Sequence, residues 1–193
     1  GNNYSITYVS DDLTIAAKPI TITAAAKSKT YGDADPSLTY TGDVSLISGD
    51  SFTGALSRVA GENVGTYAIG QNTLAIDDGN SGNNYSITYV SDDLTIAQRA
   101  ITLSADSVTK VYGASEPTLS VSITAGSLGS TTVSDLLADV TGTLTREAGS
   151  DVGSYDVALG AGAKASNYAI TFVTDNNALS ITAKPITITA AAK

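Results

Sequence analysis

Apolar and polar residues alternate with a period of two in short runs along this chain. Ile20 and Ile22 alternate with Thr21 and Thr23, Tyr85, Ile87 and Tyr89 with Ser86 and Thr88, and Leu94 and Ile96 with Thr95. Residues two apart share one face of a strand, and β-branched and aromatic side chains suit a half-buried pleated surface. The pattern therefore predicts strands near 19–24, 37–42, 52–58, 65–70, 85–90 and 94–97, with equivalents further along. Ile20, Ile22, Leu38, Leu56, Tyr67, Ile69, Ile87, Leu94 and Ile96 take the core face. Gly32-Asp33, Gly49-Asp50, Asp77-Asp78-Gly79-Asn80 and Ser91-Asp92-Asp93 punctuate the runs as turns. Only Val133 to Asp139 reads as a helical turn, with Ser134 as its N-cap ahead of Leu136 and Leu137.

The pattern repeats. GNNYSITYVSDDLTIA at 1–16 recurs unchanged at 82–97, a shift of 81 (82 − 1). AKPITITAAAK at 17–27 returns at 183–193, a shift of 166 (183 − 17), and a looser copy, QRAITLSADSV, occupies 98–108. The second period is therefore 85 (166 − 81). Between these anchors Tyr31-Gly32 aligns with Tyr112-Gly113, Pro36 with Pro117, Gly54 with Gly142, Arg58 with Arg146, and Val64 to Tyr67 with Val152 to Tyr155. The second copy is longer in 122–140, shorter before Tyr168 and two residues longer between Val173 and Leu179. Length changes confined to such places are those of folded modules.

Residues 18–98 and 99–183 are thus read as complete repeats, 1–17 as the closing strands of a preceding repeat and 184–193 as the first strand of a following one. The expectation is a slice of a longer array. The join LTIAAKPITITAAA leaves two or three residues between modules, and Pro19 and Pro185 restrict it further. The fold class expected is all-β: small, antiparallel-rich, immunoglobulin-like sandwich modules placed end to end as a rod. A β-grasp layout with one short helix is the alternative.

Composition narrows the function. Ten Lys and Arg against nineteen Asp and Glu give a net charge of -9, which repels nucleic-acid backbones and anionic lipid. No run approaches the roughly 18 apolar residues a membrane span needs. Neither nucleic-acid binding nor membrane insertion is expected. Cys, His, Met and Trp are absent, which removes disulfides, thiolate and imidazole metal sites and the commonest general base. No nucleophile stands beside a base, so the chain reads as a non-enzyme without a cofactor.

Three sets of residues carry other chemistry. Asp77, Asp78, Asn80 and Asn83 place oxygen ligands in one Gly-rich loop, a calcium candidate set against an ordinary solvated turn. The second repeat has no carboxylate in its counterpart, Gly160 to Ser166. Tyr67 and Tyr155 follow V-G-[TS] as in a tyrosine corner, and Tyr85, Tyr89 and Tyr168 lie on the apolar phase of their strands, so core packing outweighs a sugar-stacking surface. Lys18, Lys29 and Asn84 supply the groups for an internal isopeptide link. The end segments 1–16 and 185–190 each carry an apolar face, and weak head-to-tail self-association through them is expected besides contact between neighbouring repeats.

The ordered set of motifs, PITITA, K-x-YG-D-x-D-P-x-L-T-Y, G-x-L-S-R, GENVGTY, NY-x-ITYV and LTI, resembles the MBG repeat of the YGX type. That repeat occurs in large bacterial adhesins, including filamentous-haemagglutinin-like proteins. The likeness covers both complete repeats and both end pieces. Ala114 follows Gly113 where Asp33 follows Gly32, so no role of Asp33 is common to the copies. The resemblance implies an extracellular or cell-surface bacterial location, repetition, and adhesion or biofilm association. The function expected is a stalk or spacer segment of an exported repeat adhesin, projecting a distal binding domain; a module binding glycan or host matrix protein is the alternative.

Overall fold

The computed structural model describes residues 3–42, 45–140, 142–160, 165–174 and 176–191, without the side chain of Leu137. Among them the first repeat carries β1 (Lys18–Ala24), β2 (Lys27–Thr30), β3 (Tyr40–Gly42), β4 (Ser51–Thr53), β5 (Ser57–Arg58), β6 (Gly65–Gly70), β7 (Ala75–Asp77), β8 (Tyr85–Val90) and β9 (Asp92–Ala97). The second carries β10 (Arg99–Ala105), β11 (Val108–Val111), β12 (Val121–Ala125), α1 (Val133–Asp139), β13 (Leu144–Arg146), β14 (Gly153–Tyr155), β15 (Val157–Leu159), β16 (Tyr168–Phe172) and β17 (Leu179–Thr182). Among the described residues the chain is all-β apart from one helix, as the alternation predicts.

The opening and closing strands of each repeat run the same way. β1 pairs β8 in parallel from Lys18 opposite Tyr85 to Thr23 opposite Val90, and β2 pairs β9 in parallel from Lys27 opposite Leu94. β10 with β16 and β11 with β17 repeat the arrangement. Antiparallel pairs, such as β1 with β3, β10 with β12 and β14 with β17, complete the sheets. Among the described residues six strand pairs are antiparallel and four parallel, so the repeats are antiparallel-rich as expected, and the parallel pairing of opening with closing strands is the addition. Period-two alternation fixes which face a side chain takes and says nothing of the direction of the neighbouring strand. The intervening strands of each repeat supply the crossover that parallel pairing needs.

Register explains the extra residues of the second repeat. In the first, the offset is constant, 67 at Lys18 opposite Tyr85 (85 − 18) and 67 at Lys27 opposite Leu94 (94 − 27). In the second it steps from 69 (168 − 99) to 71 (179 − 108). The two added residues therefore fall between β16 and β17. Asn176 satisfies the detour: its Oδ1 accepts the Val157 N–H at 3.0 Å, and its Nδ2 donates to the carbonyls of Val157 at 2.6 Å and Val173 at 3.0 Å.

Several local expectations change. The strand expected over 52–58 is two, β4 and β5, broken at Gly54, whose φ is +74° and where an added Cβ would stand 2.0 Å from the Thr73 carbonyl oxygen. Strand 37–42 shortens to β3. β2, KSKT, lacks any apolar alternation and is held by its backbone pairing with β9. The helix spans Val133–Asp139 as expected, but its N-cap is Thr132, not Ser134. Thr132 accepts the Asp135 N–H at 3.2 Å while Asp135 accepts the Thr132 N–H at 2.7 Å, a reciprocal box that Ser134, inside the first turn, cannot make.

The chain divides into two compact units, one of Gly1–Ala26, Ser37–Val59 and Ala68–Asp93, the other of Lys27–Pro36, Ala60–Tyr67 and Leu94–Lys193. The first unit is built on Ile20, Ile22, Leu74, Ile76 and Tyr85, with Tyr40 and Phe52 packed against them, ring centroids 5.6 Å apart. The second unit includes a cluster of Ile101, Leu103, Leu136 and Tyr168 and another of Val157, Ala178 and Leu179. Of the first repeat's expected core, Ile20, Ile22, Ile69, Leu94 and Ile96 are buried, whereas Leu38, Leu56, Tyr67 and Ile87 are half-buried. Where the first repeat has Tyr40 and Phe52, the second has Val121 and Val140, beside a cavity of about 700 Å³ that Leu103, Leu119 and Leu136 also line.

Residues 3–17 and 183–191 form no strand. Tyr4, Ile6, Tyr8, Leu13 and Ile15 are 87 to 89% exposed, and Ile186 and Ile188 are 78% and 88% exposed. Among the described residues no strand pairs with either end segment, and a lone segment without a pairing neighbour does not hold a strand. Residues 1, 2, 192 and 193 lie outside the described set.

Candidate functional site at the joint between repeats

The position that opens each repeat is cationic: Lys18, Arg99 and Lys184 align. Lys18 Nζ donates to the Ser45 carbonyl at 2.6 Å. Arg99 does more, because a guanidinium presents donors in a planar fork. Its Nε donates to the Tyr31 carbonyl at 2.5 Å, Nη1 to the Ser127 carbonyl at 3.0 Å, and Nη2 pairs with the Asp33 carboxylate. The first repeat's Tyr31-Gly32-Asp33 turn is thereby tied to the first residue of the second.

Glycines permit the close approach. Gly32, at φ +80°, offers its carbonyl to the Ser130 N–H at 2.9 Å and the Ser130 hydroxyl at 2.5 Å. Gly129, at φ +63°, lies so near that an added Cβ would stand 2.7 Å from Arg99 Nη2 and 2.9 Å from the Gly32 oxygen. Behind them Tyr31 meets Tyr168 edge-on, centroids 5.3 Å apart at 82°, and the Tyr168 hydroxyl bonds Thr131 Oγ1 at 2.8 Å. Burial, followed by Tyr168, Asp135 and Asp139 nearby, pushes the Tyr31 phenol above its ordinary pKa.

A second contact centres on Asn167, which is 7% exposed. Its Oδ1 accepts the Val64 N–H at 2.9 Å, and its Nδ2 donates to Asn63 Oδ1 at 3.1 Å and Asp139 Oδ1 at 3.3 Å. Its backbone N–H donates to Asp139 Oδ2 at 2.7 Å, and its carbonyl accepts the Arg99 N–H at 3.0 Å. Repeats 18–98 and 99–183 therefore meet through 31–33 and 63–64 on one side and 127–131 and 167–168 on the other. All of these residues belong to the second compact unit, and Asn167 and Tyr168 are its buried members at the joint.

Each repeat also carries an ion-pair cluster. Lys29, whose side chain is 4% exposed, pairs with Asp35 at 2.6 Å and Glu62 at 2.5 Å. Burial works against its charge, but the two carboxylates outweigh it and hold the ammonium above its usual pKa. In the second repeat Glu116 accepts from Arg146 at 2.9 Å and Lys110 at 2.7 Å, and Arg146 followed by Lys110 holds its carboxyl low. Glu62 aligns with Ser150, so in the second repeat Lys110 and Arg146, the latter the counterpart of Arg58, share the one carboxylate of Glu116.

The Asx-rich loop is occupied by its own backbone. Asp78 accepts N–H groups from Gly82 at 2.7 Å, Asn80 at 2.8 Å and Asn84 at 3.0 Å, and Asp77 accepts the Gly79 N–H at 3.4 Å. Partial desolvation raises the Asp78 carboxyl, and the N–H bonds outweigh that and bring it below the usual range. Asn83 Nδ2 donates to the Asn80 carbonyl and Asn80 Nδ2 to Asn84 Oδ1. The structure thus gathers Asp77, Asp78, Asn80 and Asn83 into one hydrogen-bonded turn. Among the described residues no group of three or more acidic side chains could hold a metal ion. In the counterpart loop, 160–166, residues 161–164 lie outside the described set.

Neither lysine singled out for an isopeptide link reaches the Asn84 amide: Lys18 Nζ is on Ser45, Lys29 Nζ is on Asp35 and Glu62, and Asn84 Oδ1 accepts from Asn80. The tyrosines are placed as their phase predicts. Tyr85 is buried, its hydroxyl donating to Asp50 at 2.5 Å and accepting the Ile47 N–H at 2.9 Å. The Tyr67 hydroxyl donates to the Asn63 carbonyl at 2.7 Å and that of Tyr155 to the Asp151 carbonyl at 2.8 Å, each four residues back, as a tyrosine corner does.

Arg99, Asn167 and Asp139 were not identifiable as a site from the sequence. Two signals point to them in hindsight: the Asn-Tyr pair that opens each closing strand, Asn84-Tyr85 and Asn167-Tyr168, and the insertion over 122–140 that supplies Ser127, Ser130 and Asp139.

The family described as MBG domain (YGX type) is matched twice, at residues 20–95 and 101–179. No curated protein and no solved structure matches the chain.

Proposed function

The chain belongs to the MBG domain (YGX type) family, a repeat domain of surface-associated proteins, and from this we propose that it is a structural spacer segment of an exported bacterial adhesin, bearing load between the cell and a distal binding domain. One observation carries the reading. In each repeat the opening strand lies parallel to the closing strand, as β1 does to β8 and β10 to β16. Tension applied at the start of one and the end of the other loads their backbone hydrogen bonds in shear, so the bonds of a pair must yield together. An antiparallel hairpin pulled at its open end gives way one bond at a time. The joint adds to this, because Arg99 and Asn167 tie successive repeats through part-buried polar contacts. Adhesion or biofilm support, at the surface or outside the cell, follows from such a role. No reaction is proposed: the ionisable clusters are consumed as ion pairs, and the commonest catalytic side chain, His, is absent.

Single-molecule pulling tests the proposal. The chain has no Cys, so introduced cysteines are the sole handles. Handles at Lys18 and Ala97 are expected to give a several-fold higher unfolding force than handles at Ala24 and Tyr40, where β1 and β3 peel apart. Equal forces, or saturable micromolar binding to a glycan or matrix protein that a surface substitution abolishes, overturn the spacer reading.

A further inference from the structure

One place in the fold is filled in the first repeat and open in the second. In the first repeat the rings of Tyr40 and Phe52 lie 5.6 Å apart and pack, with Leu56, on the cluster of Ile20 and Ile22. Alignment puts Val121 where Tyr40 stands and Val140 where Phe52 stands. Register agrees, because Ala24 lies opposite Tyr40 and Ala105 opposite Val121. With both rings gone, the apolar residues of the second repeat separate. Leu103 and Leu136 belong to one cluster, and Leu144, the counterpart of Leu56, packs on the other. Members of both line the cavity of about 700 Å³, and its whole lining belongs to the second compact unit.

We infer that this cavity is a binding site for a neutral, mainly aromatic small molecule, which takes the place that the two rings hold in the first repeat. Protein interiors pack with few voids larger than a water, and an apolar wall without a partner forfeits its dispersion contacts. A dry apolar space of this size is one that an apolar guest fills. Its volume is that of a small-molecule pocket, enough for about two or three aromatic rings. The lining sets the chemistry. Among the described residues it includes no charged side chain. Its two hydroxyls, of Ser120 and Ser122, are already bonded to Asp106 at 2.6 and 2.5 Å. Nothing in the wall compensates a charged guest for its lost hydration. The helix α1, in the stretch where the second repeat is longer, adds Leu136 to the wall and Val133, 55% exposed, to its mouth. The inference goes beyond the spacer role and does not rest on it.

Methyl-resolved NMR of the whole 193-residue chain, titrated with naphthalene and separately with naphthalenesulfonate, tests this. The methyl signals of Val121, Leu136 and Val140 are expected to shift with naphthalene and saturate, with a Kd of about 10–100 micromolar. Those of Ile22 and Leu56, at the filled place in the first repeat, are expected to stay put. The sulfonate is expected to bind about tenfold more weakly or not at all. Val121→Tyr with Val140→Phe puts the ring pair of the first repeat into the second. That variant is expected to weaken naphthalene binding by about tenfold or more and to raise Tm. Each substitution is also made alone, with circular dichroism reporting whether the fold is kept. A titration that does not saturate, equal shifts in the first repeat, a sulfonate bound as tightly as naphthalene, or a folded double variant that binds as the wild type does overturns the inference. Should the double variant not fold, the single variants and the wild-type titration decide by the same outcomes.

Discussion

Val64 and Asn167, 103 residues apart in sequence, share a backbone-to-side-chain hydrogen bond of 2.9 Å at the seam of the two repeats. The Asn167 amide simultaneously serves Asn63 and Asp139, so one buried side chain satisfies groups from both repeats. An unmade bond to a buried polar group costs its desolvation, which exceeds the net worth of the bond itself. Asn167→Leu keeps the volume and removes every polar contact. The expected loss is about 2–3 kcal/mol in chemical denaturation, with faster hydrogen exchange at the Val64 N–H. An unchanged exchange rate there would show that the contact does not hold the joint.

Glycine is required at one position in each repeat by a tyrosine ring. An added Cβ at Gly61 would stand 2.2 Å from Tyr67 Cε1, and one at Gly149 would stand 2.3 Å from Tyr155 Cε1, both at φ +149°. Gly61→Ala and Gly149→Ala are each expected to cost about 2 kcal/mol, from overpacking and backbone strain together. Thermal denaturation measures the loss, and Gly61→Ala should cost less in a Tyr67→Ser background, where no ring stands in the way. An equal cost in both backgrounds would show that the ring is not the obstacle.

Burial separates two isoleucines that the alternation treats alike. Ile22 is fully buried, whereas Ile87 is half-buried. Ile22→Ala is expected to cost about 3–4 kcal/mol, through lost transfer energy and the cavity left behind, and Ile87→Ala about 1 kcal/mol. Urea midpoints of the two variants compare them directly, and equal costs would contradict the exposure difference.

Stability is expected to be flat between about pH 5 and pH 9, since neither His nor Cys is present. It should fall on both sides. Hydrogen bonds from Ser120 and Ser122 lower the Asp106 carboxyl, Arg146 and Lys110 lower that of Glu116, and Thr132 lowers that of Asp135. A depressed folded pKa contributes stability above the unfolded value, and that contribution is lost as pH falls through the folded one, so the acid side declines below about pH 4. Lys29, despite its burial, is raised by Asp35 and Glu62, and Tyr31, Tyr85 and Tyr89 are raised chiefly by desolvation. A raised folded pKa contributes stability below the unfolded value, and that contribution is lost as pH climbs through the folded one, so the alkaline side declines above about pH 10. Replacing Glu116 with Gln should flatten part of the acid limb, as read by urea midpoints from pH 2 to 5. An unaltered limb would mean the Glu116 pair contributes nothing to folding.

The amino-acid sequence by itself determined the strand class, the repeat and its period, the helix over Val133–Asp139, the interior tyrosines and the family. Each is local: alternation sets the face, and identity of segments reveals the period without reference to any contact. Gly54 broke one expected strand because its left-handed φ depends on the Thr73 carbonyl beside it, a neighbour that alternation does not register. β2 went unseen because Lys27 to Thr30 is polar and is a strand only through its pairing with β9. The two-residue step between Val173 and Leu179 was legible by alignment, whereas strand direction, the bonds by which Asn176 absorbs that step, and the seam at Arg99 and Asn167 were decided by tertiary structure alone. Each depends on a hydrogen-bond partner tens of residues away, and a pattern read along the chain holds no record of which distant carbonyl a buried side chain meets.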